Sequence, residues 1–147
     1  MLTGIGMALW KKIGFGMVAF ALAIFAVVAI SDFSLSGECR NEIVSELNAP
    51  GNTVKYVVFQ RDCAATTGFS TQVSLIKVGE TLKNESGNIF IADTNHDKAP
   101  SGVGGGPEVR IEWVSNTHLH IHHHQMARVF LAERTSDGVR IDYETFN

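Results

Sequence analysis

Two hydrophobic patterns follow one another along this chain. Residues 13–30 read IGFGMVAFALAIFAVVAI, with no charge and no strongly polar group. From residue 54 onward the apolar positions come instead in short runs and alternations, broken by Gly, Asn, Asp and Pro. The first pattern predicts a membrane-crossing helix. At about 1.5 Å per residue it spans about 27 Å, close to the hydrocarbon thickness of a bilayer. The apolar region of a cleaved secretory signal is shorter, about 7–15 residues, so an uncleaved anchor is expected. Lys11 and Lys12 precede the run, and the next Lys or Arg is Arg40. That asymmetry keeps the N-terminus in the cytoplasm and exports the remainder. Trp10 suits an interfacial position beside the lysines. Residues 1–31 therefore read as a cytoplasmic stub and transmembrane signal anchor, and residues 32–147 as an exported domain. Cleavage after the small residues near 29–31 or 34–36 is the alternative. Lipoprotein processing does not fit, because Glu38 stands where a small residue must precede Cys39.

The second pattern predicts strands. Val54, Tyr56 and Val58 alternate with Val57 and Phe59, so residues 54–61 read as a strand covered on both faces. Further strands are expected at 71–78, 88–93, 109–115, 117–124, 127–133 and 139–144. In 109–115 Val109, Ile111 and Trp113 share one face; in 139–144 Val139, Ile141 and Tyr143 point inward. Asn116-Thr117 and Ser136-Asp137-Gly138 read as hairpin turns. Residues 41–47 read as a short helix, with Ile43, Val44 and Leu47 at helical spacing, stopped by the turn residues 48–52. The expected architecture is mainly β: a transmembrane helix, then a small antiparallel meander of about seven strands, as a sandwich or half-open barrel.

Charge narrows the partners. Of the 12 Lys and Arg residues, Lys11 and Lys12 precede the apolar run, whereas all 15 Asp and Glu residues follow it. The exported part thus carries 10 positive against 15 negative residues, a net −5. An acidic domain is a poor match for nucleic acid or anionic headgroups. Its two cysteines, Cys39 and Cys63, both lie on the exported side, which suggests one disulfide; free thiols are the alternative. Closing that loop is worth about 3.5 kcal/mol on the chain-entropy account.

Five of the six histidines fall in His118-Leu119-His120-Ile121-His122-His123-His124. On a strand, His118, His120, His122 and His124 share a face at about 6.5–7 Å spacing. Imidazoles so placed, His118, His120 and His122 above all, can share a Zn, Cu or Ni ion, given a further ligand such as Glu112 or Glu133 from an adjacent strand. The plainer reading is a solvated strand face. Asp93-Thr94-Asn95-His96-Asp97 opens like a calcium loop, but Lys98 and Gly104 occupy positions that need Gly and a bidentate Glu. Residues 101–107, SGVGGGP, lack the Lys-Ser/Thr ending of a phosphate loop and lead into a strand, so they read as a flexible loop. No G-x-S-x-G, H-E-x-x-H or C-x-x-C pattern occurs, and no catalytic constellation stands at motif spacing.

Residues 61–73, Arg-Asp-Cys-Ala-Ala-Thr-Thr-Gly-Phe-Ser-Thr-Gln-Val, resemble a signature of small bacterial envelope proteins. The resemblance extends to Cys39-Arg40-Asn41-Glu42, to residues 88–93, to the Gly-rich loop and to residues 109–113. It implies a shared bacterial envelope domain and brings no catalytic residue with it. The histidine run lies outside it. The leading expectation is a non-enzymatic binding module in the bacterial inner membrane, single-pass. Its β domain faces the periplasmic or extracellular side and meets an envelope partner, through loops such as 62–71 and 101–107. The alternative is a metal-binding or metal-sensing domain built on the histidine strand.

Overall fold

A computed structural model of the chain describes residues 39–63 and 68–147. The apolar stretch 13–30 and the middle of the signature, 64–67, lie outside the described residues. Among the described residues no helix is long and apolar enough to cross a membrane.

The described part is β. Sheet one runs in the order β1 (Arg40–Asn48), β2 (Val54–Asp62), β3 (Ser70–Lys77), β4 (Phe90–Asp93), β7 (Arg128–Ala132). Sheet two runs in the order β5 (Val109–Ser115), β6 (His118–His124), β9 (Val139–Phe146), β8 (Thr135–Ser136). The sheets share one hydrophobic core. Sheet one contributes Tyr56, Val58, Val73 and Leu75, and sheet two contributes Leu119, Ile121, Val139 and Ile141. Tyr143 helps join the layers. Its ring stacks on Phe90 at 5.8 Å, and its hydroxyl lies 2.9 Å and 2.8 Å from the carbonyls of Ile89 and Glu133.

The second face of β2 is covered too, as its double apolar pattern requires. Val57 and Phe59 are fully buried. Loop 79–88 is tied to that face: the amide of Gly87 donates to Gln72 Oε1 at 2.7 Å and that of Asn88 to Ser74 Oγ at 3.3 Å. Gln72 and Ser74 pair with Phe59 and Val57 in the β2–β3 ladder.

Three expectations need correction. Residues 41–47 are not helical: Arg40–Asn48 is an edge strand, antiparallel to β2 from Arg40↔Asp62 to Asn48↔Lys55. A seven-residue helix is marginal in water, whereas the disulfide between Cys39 and Cys63 closes the start of this ladder. Ile43 and Leu47 are left about half exposed, at 52% and 54%. The strands also number nine among the described residues, β1 and β8 having been unforeseen. Finally, the sheet order is not a pure antiparallel meander, because β6 and β9 pair in parallel. The chain leaves sheet two after β6, adds β7 beside β4, and returns through β8, so β9 enters in the direction of β6. A crossover of that length is what a parallel pair demands.

Candidate metal-binding site

β6 alternates histidine with aliphatic residues. Leu119 and Ile121 are fully buried in the core. Burying each is worth about 1.5–3 kcal/mol, which fixes the register and turns His118, His120, His122 and His124 to the outer face. His123 faces the core side, its ring 5.4 Å from that of Phe90. The neighbouring strands supply the charges. On β5, Glu112 pairs with His120 and Arg110 with His122. On β9, Arg140, Asp142, Glu144 and Phe146 lie beside His118, His120, His122 and His124 in turn.

His120 and His122 form the centre. Glu112 Oε1 lies 3.7 Å from His120 Nδ1 and 3.6 Å from His122 Nε2. All three donors fall within 4.8 Å of one another. Zinc-type ligands at about 2.0–2.1 Å in tetrahedral array stand about 3.3–3.4 Å apart, so the two Glu112–imidazole separations lie within a few tenths of an ångström of that spacing. Glu144 occupies the opposite side, its Oε2 3.7 Å from His120 Nε2 and 3.6 Å from His122 Nδ1. Each imidazole thus has one nitrogen toward Glu112 and the other toward Glu144. A carboxylate on the far nitrogen is the usual device for fixing the tautomer and aim of a metal-bound histidine. The imidazoles are about a quarter exposed and the carboxylates more so, so the cluster is open to solvent.

His118 does not join them. Its Nε2 lies 2.8 Å from Asp142 Oδ2, and Arg140 Nη2 reaches both His118 Nε2 at 3.0 Å and Asp142 at 2.9 Å. The His118 hydrogen bond, with Arg140 alongside, holds the Asp142 carboxyl below its usual range. His124 accepts from the Met126 amide at 3.1 Å and sets its ring edge-on to Phe146. Of the two carboxylates considered as extra ligands, Glu112 is at the imidazoles. Glu133 is not: it follows β7, where its carbonyl receives the Tyr143 hydroxyl. Glu144 went unforeseen, since nothing local to β6 announces β9 as its neighbour.

The other candidate segments are committed elsewhere. Asp93 accepts from Arg128 and from the amide of Asn95, so the calcium-like segment spends its first carboxylate on a salt bridge. Asn95, His96 and Asp97 follow with φ of 53°, 57° and 61°. Loop 101–107 is not a loose connector. Ser101 bridges Pro107, the amide of Gly102 donates to Gly106 at 2.7 Å, and Thr71 Oγ1 donates to the Pro107 carbonyl at 2.7 Å.

In comparisons with known proteins, no family model, curated protein or solved structure matches this chain.

Proposed function

We propose that this protein is a membrane-anchored envelope domain that binds a divalent d-block metal ion through Glu112, His120 and His122. The observation that carries the reading is the convergence of one carboxylate oxygen and two imidazole nitrogens within 4.8 Å. Two imidazoles and a carboxylate suit Zn, Cu or Ni. The donors sit on adjacent strands whose inner faces are pinned in the core, so little ordering is required on binding. Anchorage rests on the apolar run 13–30 behind Lys11 and Lys12, with the β domain on the periplasmic or extracellular side of a bacterial inner membrane. The disulfide between Cys39 and Cys63 suits that oxidising side. The test is metal content after tag-free purification. One ion per chain, lost in His120→Ala with His122→Ala, is expected; metal that is sub-stoichiometric or indifferent to those changes overturns the reading.

A second reading, recognition of an envelope partner, draws on a different surface. A cavity of about 600 Å³ opens on the outer face of sheet one, with Phe69, Ile91, His96, Arg128 and Phe130 among its lining. Phe69 and Phe130 are 49% and 58% exposed there. Exposed aromatic walls beside charged groups suit a protein contact. Crosslinking in the native membrane through photoreactive groups at Phe69 and Phe130 tests it; only solvent-quenched products would count against it.

A further inference from the structure

Three protein donors leave a bound ion at least one position for a ligand from outside the chain. The surroundings of that position have a definite character. Arg110 is the β5 partner of His122, two residues before Glu112 and on the same face. Its guanidinium lies 4.4 Å over the Phe146 ring and donates through Nε to Glu108 at 2.8 Å. Among the described residues its two Nη groups have no hydrogen-bond partner. Arg110, Ile111, Glu112, His122 and Phe146 together line a cavity of about 300 Å³. Two of these five residues are the proposed metal ligands.

We propose that the metal-loaded site takes a small oxyanion, a carboxylate or phosphate, with one oxygen on the ion and another on the Nη groups of Arg110. The inference rests on the metal reading above. A divalent ion offsets the carboxylates of Glu112 and Glu144, and Arg110, held through Nε by Glu108, keeps its Nη donors for an incoming oxygen. The planar guanidinium offers paired donors that match an oxyanion's geometry. Its stacking on Phe146 holds the fork in place before any ligand arrives. The volume stands at the small end of ligand pockets, which fits a compact anion.

The test uses the full-length chain in neutral detergent, loaded with Co²⁺ as a visible-absorption probe and titrated separately with inorganic phosphate and acetate. A saturable shift of the Co²⁺ bands is expected with at least one anion, and the tighter-binding anion identifies the source. Arg110→Gln should weaken that anion about tenfold or more, the scale of a lost charge-assisted hydrogen bond. Its Co²⁺ affinity without anion should stay within about twofold, and Arg110→Lys should recover part of the anion affinity. No Co²⁺ binding by the unaltered chain overturns the metal reading and this inference with it. Co²⁺ binding with bands indifferent to both anions overturns this inference alone. So does an anion response of equal strength in Arg110→Gln.

Discussion

The rings of His120 and His122 lie with centroids 4.2 Å apart and planes tilted by 39°. Positions i and i+2 on a strand are about 6.5–7 Å apart at the backbone, so the two imidazoles lean toward one another. Glu112 and Glu144 flank them from β5 and β9, each within 3.7 Å of both rings. This convergence makes the metal reading specific to individual residues.

The sharpest contrast is between neighbours on one face. His118→Ala should leave metal affinity within about threefold, because His118 is engaged by Asp142 and Arg140. His120→Ala, His122→Ala or Glu112→Ala should each cost about 100-fold or more, by analogy with the loss of one metal ligand and beyond the range for an outer partner. Equilibrium dialysis with Zn²⁺ on the four variants separates the outcomes. A loss in His118→Ala equal to that in His120→Ala would show that the ion bridges a longer stretch of the strand.

Glu144 should act on the metal without touching it. Glu144→Gln keeps the size but removes the negative charge from the far nitrogens of both imidazoles. Outer partners of this type are worth about 10–100-fold in metal affinity. The same titration reads the effect, and unchanged affinity in Glu144→Gln would reduce its 3.6–3.7 Å contacts to bystander ion pairs.

How much of this was legible in the sequence follows from what each signal depends on. The alternation of Val109, Ile111 and Trp113, and of Leu119 and Ile121 with histidines, depends only on the strand repeat, so β5 and β6 and their faces could be read directly. The hairpin at Asp137 and Gly138 was equally local; both residues have positive φ, 47° and 76°. Glu112 could be anticipated because β5 and β6 are joined by a two-residue turn. Glu144 and Arg140 could not, since their place beside β6 depends on a crossover through the other sheet. β1 was misread because Ile43, Val44 and Leu47 are exposed on an edge, so their spacing reports no buried face at all.

Tyr143 ties alkaline sensitivity to the interlayer contact. Burial, followed by the nearby Glu133, pushes its hydroxyl well above the ordinary value of 10.0. A raised pKa means that the folded chain holds the proton more tightly than the unfolded chain. This contribution is therefore fully present below about pH 10 and lost as pH rises from there toward the folded value. Tyr143→Phe should cost about 1 kcal/mol at pH 7, for the hydroxyl's bonds to Ile89 and Glu133. It should also flatten the fall in stability above pH 10. Urea unfolding at pH 7 and pH 10.5 (roughly half a unit past the unfolded value) measures both. An unchanged alkaline slope in the variant would assign that sensitivity to other groups.

Gly106 should not tolerate a side chain. A Cβ there would meet Thr71 Oγ1 at 2.5 Å and the Thr71 amide nitrogen at 2.6 Å. Thr71 is also the residue that fastens the loop to β3 through the Pro107 carbonyl. Gly106→Ala should cost about 1–3 kcal/mol, the range for overpacking a close contact. Gly68→Ala, with nothing within 4 Å of the added methyl, is the matched control and should change stability by about 0.5 kcal/mol or less. Equal effects in thermal unfolding would mean that loop 101–107 is not held against β3.

The disulfide should stabilise the β1 edge above all. Cys39 and Cys63 are separated by 24 residues in sequence, and they sit beside the first rung of the β1–β2 ladder, Arg40↔Asp62. Removing the bridge with Cys39→Ser and Cys63→Ser should cost about 3.5 kcal/mol overall on the loop-closure account. The local consequence is more telling. β1 exposes Ile43 and Leu47, so little apolar burial is left to hold it once the covalent tie is gone. Among its other links are Asn41 Nδ2 to the carbonyls of Lys83 and Glu85 at 3.0 Å and 2.8 Å, and Trp113 Nε1 to the Leu47 carbonyl at 3.2 Å. Hydrogen exchange should therefore speed up in β1 far more than in β3 or β6. Uniform acceleration across all three strands would show that the bridge acts on global stability and that β1 is held by its ladder alone.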